Sequence, residues 1–504
     1  MSGRIELLLV KADFQMSNFL PSRHPWPVIA ASLFFAFSMV WMGRNLNFSA
    51  YAHPDERNKI IQVVDGEYNF HHPLLMLNLV RIVSKAVGVG GDFESVKLVG
   101  RWSSVFFTSA AIALLVLLMG RVYGGAVATV AGVFLLANPH IFDLAHYFKE
   151  DPALLFGLSL SLLLIKIYSE RPEKWLAALT GLASSCAISG KYAGVVILPF
   201  AVYVLCACSP SRGKNLWPYF SGLLFGMVLI NLPAFLALGS ASGSLDREIA
   251  LLTGHAKPIS RSVPHGVYSN VYWQSSTPVL VGLLVLYGWQ LFRRKFRLSP
   301  VEWVLVSLPL FYIAILSFLP RTNHRYFLPA AAILACLAAA GLLPVLAAKN
   351  GRLWAICIVA ASLAWQAPRL YCANIGFTQD HRKELVDFIE SEIPPGSLLL
   401  QDQNIDLPDS IKIPIMKRRI GSRDTLESLR KEGISHVVVA QSKYGQFFKT
   451  NVIVSDDARE DFNKTKQFFE SLFQEGELLR EWKTGDNLYL AAPFRIYSIK
   501  KLTN

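Results

Sequence analysis

Two adjacent carboxylates and a cation, Asp55, Glu56 and Arg57, follow the first long apolar segment of the chain, residues 26–42. A histidine-containing stretch, residues 66–74, comes soon afterwards. Charged groups at the point where a chain leaves a membrane can act on a molecule dissolved in lipid while they contact water. This position predicts that the protein is an enzyme and that the acidic pair takes part in its chemistry.

The composition indicates a membrane protein. Of the 504 residues, 53% are hydrophobic and 17% are charged, and the mean hydropathy is +0.37. Soluble domains are about 45–50% apolar and about 25% charged. The formal net charge is +13, but the basic residues are spread between apolar segments, which is the usual signal of membrane topology and argues against a nucleic-acid partner. The six cysteines lack the spacing of a disulfide framework or a metal site.

A membrane-spanning helix needs about 20 predominantly apolar residues, with shorter segments tolerated. The sequence predicts about eleven such spans, with an uncertainty of one or two because four of them are short and closely spaced. They are residues 26–42, 100–119, 125–137, 153–168, 175–189, 193–208, 219–238, 277–291, 301–319, 326–347 and 353–367.

The loops between these spans predict the orientation. Every second loop is short and basic, as the positive-inside bias requires of cytoplasmic loops. We therefore place residues 1–25 in the cytoplasm and residues 26–368 in a transmembrane domain, with outer-face loops at 45–97, 140–151 and 239–276. The first of these loops is predicted to contain an amphipathic helix along the membrane surface. The last is expected to be an ordinary loop, with a flexible lid over a site as the alternative.

After residue 368 the composition becomes that of a soluble domain. Alternating helical and strand-like patterns over about 130 residues predict a small α/β domain that is large enough to form its own hydrophobic core. The fold class is thus mainly α, a polytopic membrane protein with an extracytoplasmic α/β domain at 369–504. Predicted helices are 381–392, 424–431 and 461–473, and predicted strands are 397–401, 436–440, 477–482 and 494–499.

Polar residues at the outer ends of several spans are predicted to meet at one membrane face. Carboxylates can take a proton from an attacking hydroxyl or hold a metal, while lysine and arginine can neutralise a leaving phosphate. This combination suits displacement of a lipid-linked phosphate by a nucleophile. The residues are Asp55, Glu56, Asp151, Lys191, Tyr192, Arg321, Arg325 and Tyr326.

Each of these residues also has a structural explanation. An acidic residue before Pro152 is typical of a helix start, and Lys191 could extend along the membrane to reach water. Lys149 could pair with Asp151 rather than contact a substrate. The remaining alternatives are a solvated loop for the acidic pair, membrane-flanking anchors for the arginines and a polar loop for His53, His71 and His72.

The order of these motifs resembles that of the multi-spanning GT-C glycosyltransferases, above all the protein O-mannosyltransferase and aminoarabinose-transferase branch. The resemblance rests on an acidic pair in the first loop and on four later motifs. One of them departs from the family pattern, because Leu74 stands where a second proline is usual. The motifs are His53-Pro-Asp55-Glu56, Gly66-Glu-Tyr-Asn-Phe-His71-His72-Pro73-Leu74, Lys149-Glu150-Asp151-Pro152, Gly190-Lys191-Tyr192 and Arg325-Tyr326-Phe-Leu-Pro329.

The resemblance implies transfer of a sugar from a polyprenyl-phosphate carrier to an acceptor on the outer face, with inversion at the sugar. It gives Asp55 the role of general base and leaves Glu56 and Asp151 to position acceptor or sugar. No cofactor is certain, and a divalent metal stays open. The implied substrate-binding residues are Arg57, His72, Lys149, Lys191, Tyr192, Arg321, Arg325 and Tyr326, of which Arg57, Lys191 and Arg325 are expected to hold the phosphate.

Two other classes of protein compete with this interpretation. A transporter or flippase of lipid-linked sugars would place ionisable residues near the bilayer midplane and often shows repeated halves, which the sequence lacks. A non-catalytic membrane scaffold would leave the acidic pair dispensable. The expected partners are the lipid-linked donor, membrane lipid and a protein, lipid or glycan acceptor. The expected location is a bacterial inner membrane.

Overall fold

The protein is mainly helical, in agreement with the predicted fold class. A computed structural model describes residues 25–47, 54–68, 70–209, 213–253, 261–262, 276–318, 324–378, 381–402, 405, 407–408, 411–448, 452–454, 456–482 and 493–499. Apolar segments become helices because a helix satisfies its own backbone hydrogen bonds where water is absent.

The elements are numbered here along the chain. The helices of the first half are α1 Trp26–Met42, α2 Pro54–Asp65, α3 Leu75–Ala86, α4 Phe93–Tyr123, α5 Gly125–Leu136, α6 Pro139–Ala145, α7 Asp151–Glu170, α8 Lys174–Gly190, α9 Ile197–Cys208, α10 Leu216–Leu236 and α11 Leu238–Thr253. Those of the second half are α12 Pro278–Arg293, α13 Pro300–Phe318, α14 Leu328–Ala340, α15 Leu343–Leu346, α16 Gly351–Gly376, α17 His381–Glu392, α18 Leu426–Lys431, α19 Gln441–Tyr444 and α20 Asp456–Glu475. The strands are β1 Arg261–Ser262, β2 Leu398–Gln401, β3 Ile415–Lys417, β4 Ile434–Ala440, β5 Val452–Ile453, β6 Glu477–Trp482 and β7 Phe494–Ser498.

A helix overlaps each of the eleven predicted spans, but not all of these helices are long enough to cross a membrane. Within the described residues six helices are long and apolar enough, or seven if the bent pair α5 and α6 forms one span. Helices α1, α12 and the segment Tyr192–Cys208 are apolar but shorter. The chain therefore spans the membrane several times, and the number eleven stays a prediction.

The long helix α4 lies at the centre of the helical bundle. It packs against α1, α5 and α7, and α8 continues the bundle from α7 to α10. Small residues allow the closest of these approaches, since a side chain at Gly157 would collide with the backbone of Ala187, and one at Gly181 with the backbone of Tyr219. The bundle therefore holds the ends of its helices, and the loops that follow them, in fixed positions.

Two segments differ from their predicted structure. Helix α16 continues through Pro368 to Gly376, so the predicted boundary at 368/369 falls inside a helix. A proline is tolerated there because neighbouring groups in a membrane protein can satisfy the freed carbonyl. Residues 239–253 of the predicted outer loop belong to helix α11, whose serine and glycine residues hide the helical pattern in the sequence.

The C-terminal part of the chain contains a five-stranded sheet of order β3-β2-β4-β7-β6. Strands β3, β2 and β4 run parallel, whereas β7 is antiparallel to β4 and β6. Every residue of the central strand β4 is buried. Val438 and Ala440 pack on the side of α17, and Val437 and Val439 pack on the side of α18 and α20. Helices thus cover both faces of the sheet, as the unbroken apolar run of β4 requires.

The predicted helices and strands of this region are all present, with end points shifted by a few residues. The sequence did not predict the edge strand β3, nor the short pair of β1 and β5. In that pair Arg261 lies opposite Ile453, and Ser262 lies opposite Val452. The pair joins the segment between α11 and α12 to the C-terminal region.

Candidate active site

Asp55 lies in the first turn of α2, where the partial positive charge of a helix N-terminus favours a carboxylate. Its Oδ2 accepts hydrogen bonds from Nζ of Lys149 at 2.9 Å and from Nη1 of Arg325 at 2.7 Å. The side chain of Asp55 is nevertheless 39% exposed, whereas Lys149 is fully buried. A carboxylate held between two cations and open to a substrate is the central feature of this site.

The neighbouring Glu56 has a different environment. Its side chain is fully buried and forms a two-point ion pair with Arg101, at 3.0 Å to Nε and 3.2 Å to Nη2. The backbone N–H of Phe148 also donates to Glu56, at 2.8 Å. The guanidinium of Arg101 donates in addition to the carbonyl of Leu46. This geometry suits an interior anchor between α2 and α4, and the catalytic role of Glu56 stays a prediction.

A second ion pair lies beside the first. Nζ of Lys59 is 2.8 Å from Oε1 of Glu150, and Nε2 of His72 is 3.9 Å from the same oxygen. Burial alone would raise the pKa of Glu150, but His72, Lys59 and Lys191 together hold it well below its usual range. The sequence prediction included His72 but missed Lys59 and Glu150. The sequence feature that could have indicated Lys59 as a site residue is its position four residues after Asp55, on the same face of a helix.

Asp151 is the first residue of α7 and precedes Pro152, so the helix starts where this pattern predicts it. Asp151 also belongs to the site. Its Oδ1 accepts a hydrogen bond from Nζ of Lys191 at 2.6 Å. The other oxygen, Oδ2, is buried without a hydrogen-bond partner in the part of the chain that the structure describes. A buried carboxylate oxygen in this state is ready to accept a hydrogen bond from a bound molecule.

Tyr326 connects the two groups of charges. Nζ of Lys191 lies 4.5 Å from the centre of its ring, and the guanidinium of Arg325 lies 5.6 Å from it. Both distances are in the range of cation–π attraction. The adjacent Tyr192 donates from its hydroxyl to the carbonyl of Phe70 at 3.3 Å, which ties this turn to the first loop.

The assembled cluster carries more positive than negative groups. The cations Lys59, Lys149, Lys191 and Arg325 face the carboxylates Asp55, Glu150 and Asp151. Burial and the charge of Arg325 lower the pKa of Lys149 to about 8, although Asp55 opposes the shift and Lys59 adds to it. An additional anion such as a phosphate is therefore favoured at this place.

The other two predicted residues are Arg57 and Arg321. Arg57 is exposed, and its position along α2 places it about opposite to Asp55 and Lys59 around the helix. Arg321 lies outside the described residues.

Among the described residues, the carboxylates of the cluster do not gather into a metal site. No group of three or more His, Cys, Asp or Glu side chains comes together among the residues with a described position. Asp55, Glu150 and Asp151 each face a lysine or arginine at the place where a cation would bind. The residues present therefore do not fit a divalent metal, and no chemical step is assigned to one.

Residues 71–233 match the family model described as dolichyl-phosphate-mannose-protein mannosyltransferase. This match covers Lys149, Asp151 and Lys191 and confirms the resemblance predicted from the motifs. No curated protein matches the sequence.

Solved structures of membrane transferases share the fold at low sequence identity. ArnT from Cupriavidus metallidurans in the apo state has a TM-score of 0.50 and 17% identity, over 93% of this chain and 97% of that chain. The oligosaccharyltransferase of Archaeoglobus fulgidus, in complex with Zn and sulfate, has a TM-score of 0.52 and 12% identity, over 90% and 71% of the two chains. The same enzyme tethered to an acceptor peptide also has a TM-score of 0.52 and 12% identity, over 95% and 74%.

Proposed function

We propose that this chain, a membrane glycosyltransferase of the GT-C class, transfers a sugar from a polyprenyl-phosphate carrier to a hydroxyl or similar nucleophile of an acceptor. The observation that carries the proposal is the carboxylate of Asp55, held by Lys149 and Arg325 and still accessible. The matching family model, whose description names a dolichyl-phosphate-linked mannose, supports a lipid-phosphate donor.

The cations of the site bind the phosphate of the donor. Lys149 and Arg325 hold Asp55 in the absence of substrate, and a phosphate group competes with Asp55 for the same donors. Lys191, whose Nζ lies 4.5 Å from the centre of the Tyr326 ring that Arg325 also contacts, adds a further positive charge. Such fixed charges stabilise the negative charge that develops on the leaving phosphate.

Asp55 then acts as the general base. The acceptor hydroxyl gives its proton to Asp55 while its oxygen forms a bond to the anomeric carbon of the sugar. The bond between that carbon and the phosphate oxygen breaks, and its electron pair leaves with the polyprenyl phosphate. Attack from the side opposite the leaving group inverts the anomeric centre. The exposed fraction of Asp55 allows an acceptor to approach it.

Asp151 positions the substrate. Its Oδ1 is engaged by Lys191, and its buried Oδ2 can accept a hydrogen bond from a hydroxyl of the sugar or of the acceptor. Loss of this acceptor would misplace the reacting groups, and a misplacement of about 1 Å can cost about 100-fold in rate. No step is assigned to a divalent metal, although a structural neighbour was solved with Zn.

The reaction takes place at the extracytoplasmic face of a membrane, most simply the inner membrane of a bacterium. The basic loops between the spans support this orientation, because cytoplasmic loops carry the excess of lysine and arginine. The C-terminal region, residues 369–504, lies on the same outer side. A flippase or transporter remains the alternative. A transporter would place its charged residues inside the spans, near the middle of the membrane, whereas the charged residues of this site lie at helix ends and in loops.

The substitution Asp55→Asn tests the proposal. Purified protein in lipid vesicles is incubated with labelled polyprenyl-phosphate sugars and a panel of protein, lipid and glycan acceptors. We expect the substitution to reduce transfer by about 100-fold to 10,000-fold, the usual contribution of a general base. Folding should be unchanged, because Asp55 is partly exposed at the surface of the site.

The matched control is Asp65→Asn, which removes an exposed carboxylate from the other end of the same helix. It should transfer sugar like the unsubstituted protein. Full activity of Asp55→Asn would contradict the assignment of the base. Movement of the labelled lipid across the vesicle membrane without transfer would favour the flippase alternative.

A further inference from the structure

Helix α10 is interrupted close to the candidate active site. Asn231 has a φ of −108° and a ψ of 23°, which are not helical values, and Pro233 follows inside the same helix. A proline has no N–H and cannot complete the helical hydrogen-bond ladder, so a break near it is expected. The side chain of Asn231 is buried at this break.

The amide of Asn231 joins three parts of the chain. Its Oδ1 accepts a hydrogen bond from the N–H of Leu74 at 3.1 Å. Its Nδ2 donates to Oγ of Ser189 at 2.7 Å and to the carbonyl of Met227 at 3.1 Å. A second amide supports the same junction, since Nδ2 of Asn78 donates to the carbonyl of Ile230 at 2.7 Å. Asn231 thus uses both its acceptor and its donors in buried bonds.

Two residues that bond to Asn231 lie close in sequence to residues of the site. Leu74 comes two residues after His72, which faces Glu150. Ser189 comes two residues before Lys191, which holds Asp151. The break in α10 therefore sets the position of the first loop relative to the turn that carries Lys191.

The junction depends on a residue that departs from the motif of the family. A proline at position 74 would have no N–H and could not donate to Asn231. Leucine at this position supplies that donor. This link between the first loop and α10 therefore requires a residue other than proline at position 74.

We propose that Asn231 is a positioning residue of the transferase. It fixes the loop with His72 against the turn with Lys191, so that the cations meet the donor phosphate in the correct geometry. The inference rests on the proposed function. Without the junction, the two segments can move separately, and binding of the lipid phosphate weakens while the chemistry at Asp55 continues.

The experiment compares Asn231→Ala, Leu74→Pro and the double variant with the unsubstituted protein. We expect each single change to raise the KM for the polyprenyl-phosphate sugar about tenfold, the order of one lost buried hydrogen bond, with kcat changed less than about threefold. The double variant should behave like Asn231→Ala alone, because Asn231→Ala already removes the bond to Leu74 together with those to Ser189 and Met227. A purely structural role would instead lower folded yield and kcat.

Leu74→Ala is the matched control, because it keeps the backbone N–H and removes only the side chain. Binding of undecaprenyl phosphate is measured for the same variants as a shift in the thermal unfolding temperature. This measurement does not depend on turnover. Three outcomes would overturn this inference and leave the proposed function standing. They are unchanged donor binding in Asn231→Ala, additive effects in the double variant, and equal effects of Leu74→Ala and Leu74→Pro. If the unsubstituted protein neither binds the lipid phosphate nor transfers sugar, the proposed function fails as well.

Discussion

Asp55 and Glu56 are neighbours in sequence with different surroundings. Successive residues of a helix point about 100° apart, so adjacent carboxylates face different parts of the protein. Asp55 faces Lys149, Arg325 and the solvent, whereas Glu56 faces the interior and Arg101. The sequence could place both at a membrane boundary, but it could not tell which of the two was accessible, because that depends on partners far along the chain.

Lys149 makes a prediction about pH at the residue scale. Its pKa is lowered to about 8, so the side chain is a cation at pH 7 and loses its charge as the pH rises through 8. We expect kcat/KM for the lipid-linked donor to fall about tenfold between pH 7 and pH 9, following the protonated fraction of the lysine. Steady-state rates over this pH range measure the effect.

Two substitutions separate Lys149 from other groups that titrate. Lys149→Arg keeps the positive charge above pH 12 and should flatten the alkaline fall in rate. Lys149→Met has no charge and should be slow at every pH. A fall of equal size in the arginine variant would assign the pH dependence to another group.

At the scale of elements, the ion pair of Glu56 with Arg101 fixes α2 against α4. Both side chains are fully buried, and removal of one partner of such a pair leaves an uncompensated charge inside the protein. We expect Glu56→Ala to destabilise the protein by about 3–5 kcal/mol, measured as a lower unfolding temperature and folded yield in detergent.

The control for this change is Glu170→Gln. Glu170 pairs with Arg121 at 2.7 Å, but both side chains are partly exposed, so the loss should be at most about 1 kcal/mol. A Glu56→Ala protein that is as stable as the unsubstituted one but inactive would instead support the predicted chemical role of Glu56.

The sequence was a good guide to elements with a strong pattern. The apolar segments, the helix His381–Glu392 and the buried strand β4 were all predicted near their observed positions. The strand β3 was missed because it has three residues at a sheet edge, and α11 because serine and glycine mask its pattern. The break in α10 is visible only as Pro233; the bonds of Asn231 to Leu74 and Ser189 come from tertiary packing.

At the scale of the whole molecule, the site is assembled from loops that are distant in sequence. Asp55 and Arg325 are separated by 270 residues, and Asp55 and Lys149 by 94. The predicted topology brought these loops to one membrane face, which is why Lys149, Asp151, Lys191 and Arg325 could be proposed together. Which cation holds which carboxylate could not be predicted, because it depends on the packing of α2, α7 and α14 and not on any local pattern.

Contacts between the bundle and the C-terminal region lead to a prediction about topology. Nη1 of Arg369, near the end of α16, donates to the carbonyl of Ser276 just before α12. Strand β1, which also lies between α11 and α12, pairs with β5 of the C-terminal region. Strand β1 and Ser276 therefore lie at the same end of the bundle as the C-terminal region. The basic loop after α12 is expected at the other end, in the cytoplasm.

Reporter fusions measure this arrangement in bacterial cells. Alkaline phosphatase is active only outside the cytoplasm, and it should be active when fused after residue 378 or inserted in the loop before α12. Green fluorescent protein should fluoresce when fused after residue 297, since the basic loop there stays in the cytoplasm. An inactive phosphatase after residue 378, together with an active one after residue 297, would reverse the orientation. The cations around Asp55 would then face the cytoplasm, and the donor would have to be used on the side where cytoplasmic nucleotide sugars are available.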